Sequence, residues 1–149
     1  MKMIEFIVRG ILADDDDILL VRQKGADYAF LPGGHIEFGE SARFALVREI
    51  EEELGLSVEV GQLLGVIEHQ WSTDHHLSHE LNLIFSISCE ELKSSHSPES
   101  REGNLEFLWH PLNDLKSVNL KPPPLCDLLP HWLKERGRAI GWDSTIDKR

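Results

Sequence analysis

Cysteine is scarce: Cys89 and Cys126 are the only two in 149 residues, too few for a disulfide framework and without metal-ligand spacing. A reducing, cytoplasmic compartment is therefore the expectation. Long hydrophobic runs are missing too, since none approaches the ~18 residues of a membrane-spanning helix. The opening Met1-Lys2-Met3-Ile4-Glu5 breaks its apolar stretch with charge, which argues against a secretory signal. Basic residues are few, 15 Lys+Arg against 26 Asp+Glu, for a formal charge of −11. With no basic stripe to offset that charge, nucleic-acid binding through a basic face is disfavoured. A negatively charged substrate stays open where a bound cation inverts the local field.

What is present is the composition of an ordinary globular domain, 41% hydrophobic and 28% charged. The length suits a single domain over residues 1–149, with 138–149 as a tail that contains Trp142 but no periodicity. Residues 3–13 read as a strand and 18–23 as its hairpin partner, with the acidic run Asp14–Asp17 as a solvated turn. That run lacks the spaced ligands and turn glycine of a calcium loop. Ser41 can cap a helix running to about Leu54, with Gly55 just past its end. Further strands are expected over 57–69, 81–89 and 104–110, with polar loops at 70–79 and 91–103. A short helix near 112–117 and another near 125–136 follow, the latter started or preceded by Pro122-Pro123-Pro124. The order of elements predicts an α/β fold, a mixed sheet with helices packed on it.

The helix at 42–54 stands apart chemically. At ~100° per residue, Leu46, Val47, Ile50 and Leu54 share one sector, which must face the core. Glu49 and Glu53 border that sector and Glu52 lies a little further round, while Glu51 points away. Arg48 neighbours Glu52 and can hold it. Like charges at this spacing cost a helix a few tenths of a kcal/mol per exposed pair, and more when partly buried. A divalent cation removes that cost. Carboxylates without a His or Cys partner suit a hard ion, Mg²⁺ or Mn²⁺. Gly33-Gly34 lets backbone carbonyls approach the same place.

Segment 34–56 resembles the box of the Nudix hydrolases: Gly, five residues, Glu, seven residues, then Arg-Glu-aliphatic-x-Glu-Glu-x-Gly-aliphatic. It matches at Gly34, Glu40, Arg48, Glu49, Ile50, Glu52, Glu53, Gly55 and Leu56. The resemblance implies an α/β/α sandwich around a mixed β-sheet, and Mg²⁺- or Mn²⁺-dependent hydrolysis of a diphosphate linkage. The substrate would be a small molecule, of nucleoside diphosphate-X or nucleoside triphosphate type. Carried onto this chain, it makes Glu49, Glu52 and Glu53 the metal ligands, with a carbonyl of the Gly33-Gly34 turn (Gly34) adding an oxygen. Arg48 would orient a box glutamate, and Glu40 would support the loop-to-helix junction or an outer-sphere water. Glu53 is the first candidate for the group that orients or deprotonates the attacking water. Glu102, in a Glu-Gly loop before the last strand, is the second.

Arg22, Tyr28 and His79 are the expected substrate contacts. His79 could hydrogen-bond a phosphate or base, and Tyr28, Trp71 and Phe30 could stack on a base, each fitting a core or rim position equally well. His69, His75, His76 and His79 fit no common zinc spacing. Signatures of particular subfamilies are missing: there is no Trp-Pro-Phe-Pro, Ser72 stands where ADP-ribose enzymes place proline, and Thr73 stands where dinucleoside polyphosphate enzymes place tyrosine. Two other readings are open. One is a Nudix-fold nucleotide-binding or regulatory module without turnover, against which the complete set of glutamates argues. The other is an RNA 5′-end pyrophosphohydrolase, against which the negative charge argues. Homodimers are common among similar proteins.

Overall fold

The computed structural model describes residues 2–135 and 140–146. Strand β1 (Ile4–Ile11) leads through a short β2 (Ala13–Asp14) into β3 (Asp17–Gln23), and β4 (Gly33–His35) precedes helix α1 (Ala42–Leu54). Strands β5 (Glu59–Thr73) and β6 (His76–Ser88) form one long antiparallel hairpin, followed by β7 (Leu105–Pro111), helix α2 (Leu125–Lys134) and β8 (Gly141–Ser144).

Two sheets result. The larger has five strands in the order β4-β1-β6-β5-β8, with β1 parallel to β6 and β8 parallel to β5. The smaller is antiparallel, β2-β3-β7. Helix α1 buries Ala45, Leu46, Ile50 and Leu54 against Val8 and Phe85 of the larger sheet and Val21 and Phe107 of the smaller. A second cluster on the other side joins Ile11, Ile67 and Ile84 to Leu125, Leu129 and Trp132 of α2. The result is the expected α/β/α sandwich around a mixed sheet.

Local signals explain the elements that match expectation. Ser41 Oγ accepts from the Phe44 N–H at 3.1 Å, satisfying an orphan donor of the first turn of α1. Gly55 ends the helix in the left-handed region at φ 69°, and its N–H donates to Glu51 O. Pro124 stands immediately before α2, as the proline rule requires, although Pro130 is accommodated inside it.

Four expectations are corrected. Strand β3 is not the hairpin partner of β1: β1 pairs with β4 and β6, and β3 pairs with the two-residue β2 and with β7 in the other sheet, because the chain crosses between sheets at Leu12. The stretch 70–79 is not a loop: β5 and β6 continue through it to a two-residue turn at Asp74-His75, pairing Trp71 with Ser78 and Thr73 with His76. Its end is exposed on both faces, so no apolar alternation marks it, while backbone pairing continues. The tail carries β8, a short edge strand whose Gly141 lets the ring of Trp132 lie directly against the backbone, as Gly65 of β5 does beside it. Residues 138–139 and 147–149 of that tail, and 136 of the last expected helix, lie outside the described residues. Finally, 112–117 forms only a single 3₁₀ turn at Leu112–Asp114. Among the described residues no helix is long and apolar enough to cross a membrane.

Candidate active site

The loop from β4 into α1 is tied to the larger sheet at two consecutive glycines. Gly33 pairs with Arg9 of β1 at φ 141°, and any side chain there would run into the Val8 carbonyl. Gly34 faces the helix instead. A Cβ at this position would strike the carboxyl group of Glu49, so the absence of a side chain is what lets that carboxylate lie against the backbone.

Arg48 organises the acidic face. Its Nη2 and Nε donate to the two oxygens of Glu40 at 2.7 and 3.1 Å, a bidentate pair. Nη1 donates to Glu49 Oε1 at 3.0 Å and more distantly to Glu52 Oε1 at 3.3 Å, while Nη2 also reaches the His35 carbonyl. One guanidinium therefore ties the turn before the helix to its acidic face. Sequence spacing pairs Arg48 with Glu52; the structure gives its shortest bond to Glu40, eight residues upstream, where Glu40 is also fixed by the Glu37 N–H. Arg48 and that N–H hold the Glu40 carboxyl below the usual carboxylate range. The same ion pairs keep the Arg48 guanidinium firmly protonated.

Glu53 is different in kind. It is 6% exposed, and its Oε2 is buried with no hydrogen-bond partner. Burial, reinforced by the charges of Glu49, Glu102 and Glu52 and opposed by Arg9, pushes its carboxyl up to about 8. Burial also raises Glu49, with Arg48 pulling the other way. Glu52 lies outermost, its side chain 53% exposed. The three carboxylates thus form a gradient from solvent to core along the helix edge. As their side chains are turned, with Glu49 and Glu52 bonded to Arg48, no three His, Cys, Asp or Glu side chains among the described residues stand close enough to hold one ion.

The donor set nevertheless fits a hard cation. It offers a buried carboxylate oxygen without a donor, a second carboxylate seated on a glycine backbone, and a third at the surface held by long bonds to Arg48. An orphaned buried carboxylate is costly to the fold unless something positive meets it.

The loop after β6 closes the site from the other end of the helix. The Arg101 N–H donates to the Glu53 carbonyl at 2.7 Å, and the Arg101 guanidinium packs over Gly55, leaving no room for a side chain there. Glu102 follows directly and contributes to the field at Glu53. Of the other expected residues, Arg22 is engaged by Glu106 across the β3–β7 ladder at 2.7 Å. Tyr28 is exposed beside Phe30, ring centroids 6.4 Å apart. His79 lies 3.3 Å from Glu68 Oε1 and pairs with Ile4 of β1, four strand positions from Val8, the partner of Gly34. The structure therefore gathers Arg48, Glu49, Glu52, Glu53, Gly34 and Glu102, and does not bring His79 to them.

Sequence reasoning missed Arg9. It is half-buried on β1, donates to Leu31 O, stacks over the Phe30 ring at 5.2 Å, and lies in the field of Glu80, Glu53 and Glu49. The signal was available: one cation in the middle of the apolar strand Ile4–Ile11.

Comparison with known proteins agrees with this architecture. The model of the NUDIX domain matches residues 2–129. A Nudix hydrolase of Bacillus subtilis (strain 168), YvcI, is 30% identical over 122 residues, which cover 82% of this chain and 75% of that protein. An ADP-ribose pyrophosphatase of Methanocaldococcus jannaschii is 37% identical over 101 residues, 64% of this chain and 58% of the relative's length. Among solved structures, a MutT NUDIX hydrolase from Burkholderia pseudomallei superposes with a TM-score of 0.64 at 26% identity, covering 91% of this chain and 99% of that one. With the box intact from Gly34 to Leu56, the chain belongs to the Nudix hydrolase family and is an enzyme of its pyrophosphohydrolase class.

Proposed function

We propose that this protein uses Mg²⁺ or Mn²⁺ to hydrolyse a diphosphate linkage in a small nucleotide of the nucleoside diphosphate-X or nucleoside triphosphate type, in the cytoplasm. The observation that carries the reading is Glu53: a buried carboxylate with an unpartnered oxygen, beside Glu49 on its glycine seat. Glu49, Glu52, Glu53 and the Gly34 carbonyl would hold the ion. When bound, such a cation neutralises the diphosphate oxygens and acidifies a water. Arg48 positions Glu49 and Glu52 and braces the helix against Glu40. Glu53 orients or deprotonates the attacking water, with Glu102 as the second choice. Arg22 and Tyr28 would serve as substrate contacts, Arg22 by exchanging its ion pair with Glu106 for a phosphate oxygen.

The test is phosphate release, coupled to a phosphatase, from a panel of nucleoside triphosphates and nucleoside diphosphate compounds with ADP-ribose among them. Wild type and Glu53→Gln are run with Mg²⁺, with Mn²⁺ and with chelator. Turnover by wild type that requires the ion and falls roughly 10²- to 10⁴-fold in the variant is expected. Equal turnover in both proteins moves the base to Glu102. Silence over the whole panel with ion binding retained favours a binding module without turnover.

A further inference from the structure

The face of the larger sheet that carries Arg9 is apolar at Ile7, Ile11, Ile67 and Ile84, yet it also carries Glu80, Asn82 and His69. Strand pairing sets these on one surface: Arg9 lies opposite Ile84, Ile7 opposite Asn82, and Glu80 opposite both Glu5 and His69. Asn82 is 1% exposed and His69 is buried. The fold does not require polar groups there, since the neighbouring positions are filled by isoleucine.

Glu80 is fixed in place. Trp71 Nε1 donates to its Oε1 at 2.8 Å, and Asn82 Nδ2 donates to its Oε2 at 3.3 Å. An ionised carboxylate has about four acceptor positions. One donor on each oxygen leaves one further position on each, side by side.

Arg9 faces it across the sheet. The two residues are four strand positions apart, about 13 Å between α-carbons. Each lies in the other's field, yet among the described residues no carboxylate oxygen comes within 4.0 Å of the Arg9 guanidinium. Its single hydrogen bond goes to the Leu31 carbonyl, and the Phe30 ring supports one flat side. A half-buried guanidinium and a buttressed carboxylate therefore confront each other without closing into an ion pair. Arg9 pairs with Gly33, whose neighbour Gly34 seats the Glu49 carboxylate, so the Arg9 end of this face adjoins the proposed hydrolytic site at the edge of the sheet.

We propose that Arg9 and Glu80 together read the base of the substrate, and that this base is guanine. The inference rests on the nucleotide hydrolase reading and specifies its substrate class. Two parallel acceptor positions on Glu80 match two adjacent N–H donors. Among the common bases only guanine offers that edge, through its ring N1–H and its exocyclic amino group. The guanidinium of Arg9 donates to the neighbouring O6 and N7 acceptors, the usual pairing of arginine with guanine. Uracil has a single ring donor, and hypoxanthine differs from guanine only in lacking the amino group.

Isothermal titration of the full chain with GMP, IMP and UMP, in chelator, tests the reader apart from hydrolysis. GMP is expected to bind wild type roughly ten- to a hundred-fold more tightly than IMP or UMP, the range of a good bidentate contact. Glu80→Gln, which exchanges one acceptor for a donor, is expected to erase the difference between GMP and IMP. Specificity constants for GTP, ITP and UTP with Mg²⁺ give the parallel readout. GMP and IMP binding alike, or no GMP binding at millimolar concentration, overturns the inference without any variant having to fold. Hydrolysis with no base preference defeats the guanine reader and leaves the hydrolase standing. Selective GMP binding without hydrolysis does the reverse.

Discussion

Among the described carboxylates, burial shifts Glu53 the furthest. Glu53 holds its proton up to about 8, whereas an unfolded chain releases it near 4.5. Between those values the folded state binds a proton that the unfolded state does not, so this group's contribution is full below pH 4.5 and is lost as pH rises toward 8. The slope approaches about 1.4 kcal/mol per pH unit at most. Thermal melts in chelator should therefore show wild type losing stability from pH 5 to 8, with Glu53→Gln flatter over the same window. A bound divalent ion favours the carboxylate, so Mg²⁺ should stabilise wild type most at the alkaline end. A variant with the same slope as wild type would show that Glu53 is not the group responsible. Glu40 runs the other way: Arg48 and the Glu37 N–H depress it, so its contribution is present at neutral pH and is lost on acidification. In strand β4, which faces the helix, Gly34→Ala should leave the fold intact and displace Glu49. Weakened Mn²⁺ binding by calorimetry, with an unchanged circular dichroism spectrum, is the expected result.

At the level of elements, helix α1 is specified locally and can be tested locally. Ser41→Ala removes the acceptor for the Phe44 N–H and should cost about 1 kcal/mol in urea denaturation. Turnover at 25 °C should hardly change, because Ser41 touches none of the box carboxylates. This helix was legible in the sequence for the same reason: cap, apolar sector and terminal glycine all lie within its own residues. The acidic face was legible from helical angle alone, but its wiring was not. Glu40 lies beyond the helix, so the Arg48–Glu40 pair depends on how the preceding turn folds back. The outer half of the β5–β6 hairpin escaped because backbone pairing extends it where neither face is buried. Strand β8 escaped because its order comes from β5 and Trp132, both distant in sequence. Arg9 and Glu80 belong to the same class. Arg9 is marked in the sequence as a lone cation in an apolar strand, but its relation to Glu80 is not, since only the parallel pairing of β1 with β6 puts the two on one surface.

Across the whole molecule, a charge of −11 shapes how an anionic substrate arrives. A phosphate approaching this surface meets net repulsion at long range, and attraction would begin only near the proposed cation. Repulsion of that kind is screened over about 10 Å at 0.1 M salt. Raising potassium chloride from 20 to about 150 mM, at fixed free Mg²⁺, should therefore increase kcat/KM for a nucleotide substrate by up to a few fold. The gain should appear in KM more than in kcat, because the chemical step takes place inside the site. An enzyme acting on RNA ends through phosphate contacts behaves oppositely, losing affinity steeply over the same range as counterions return to the strand. A single salt series with a mononucleotide and a triphosphorylated oligonucleotide thus separates the two substrate classes by the sign of the slope. Falling activity on both would place a cationic surface at the site entrance, against the charge distribution on which the nucleotide reading depends.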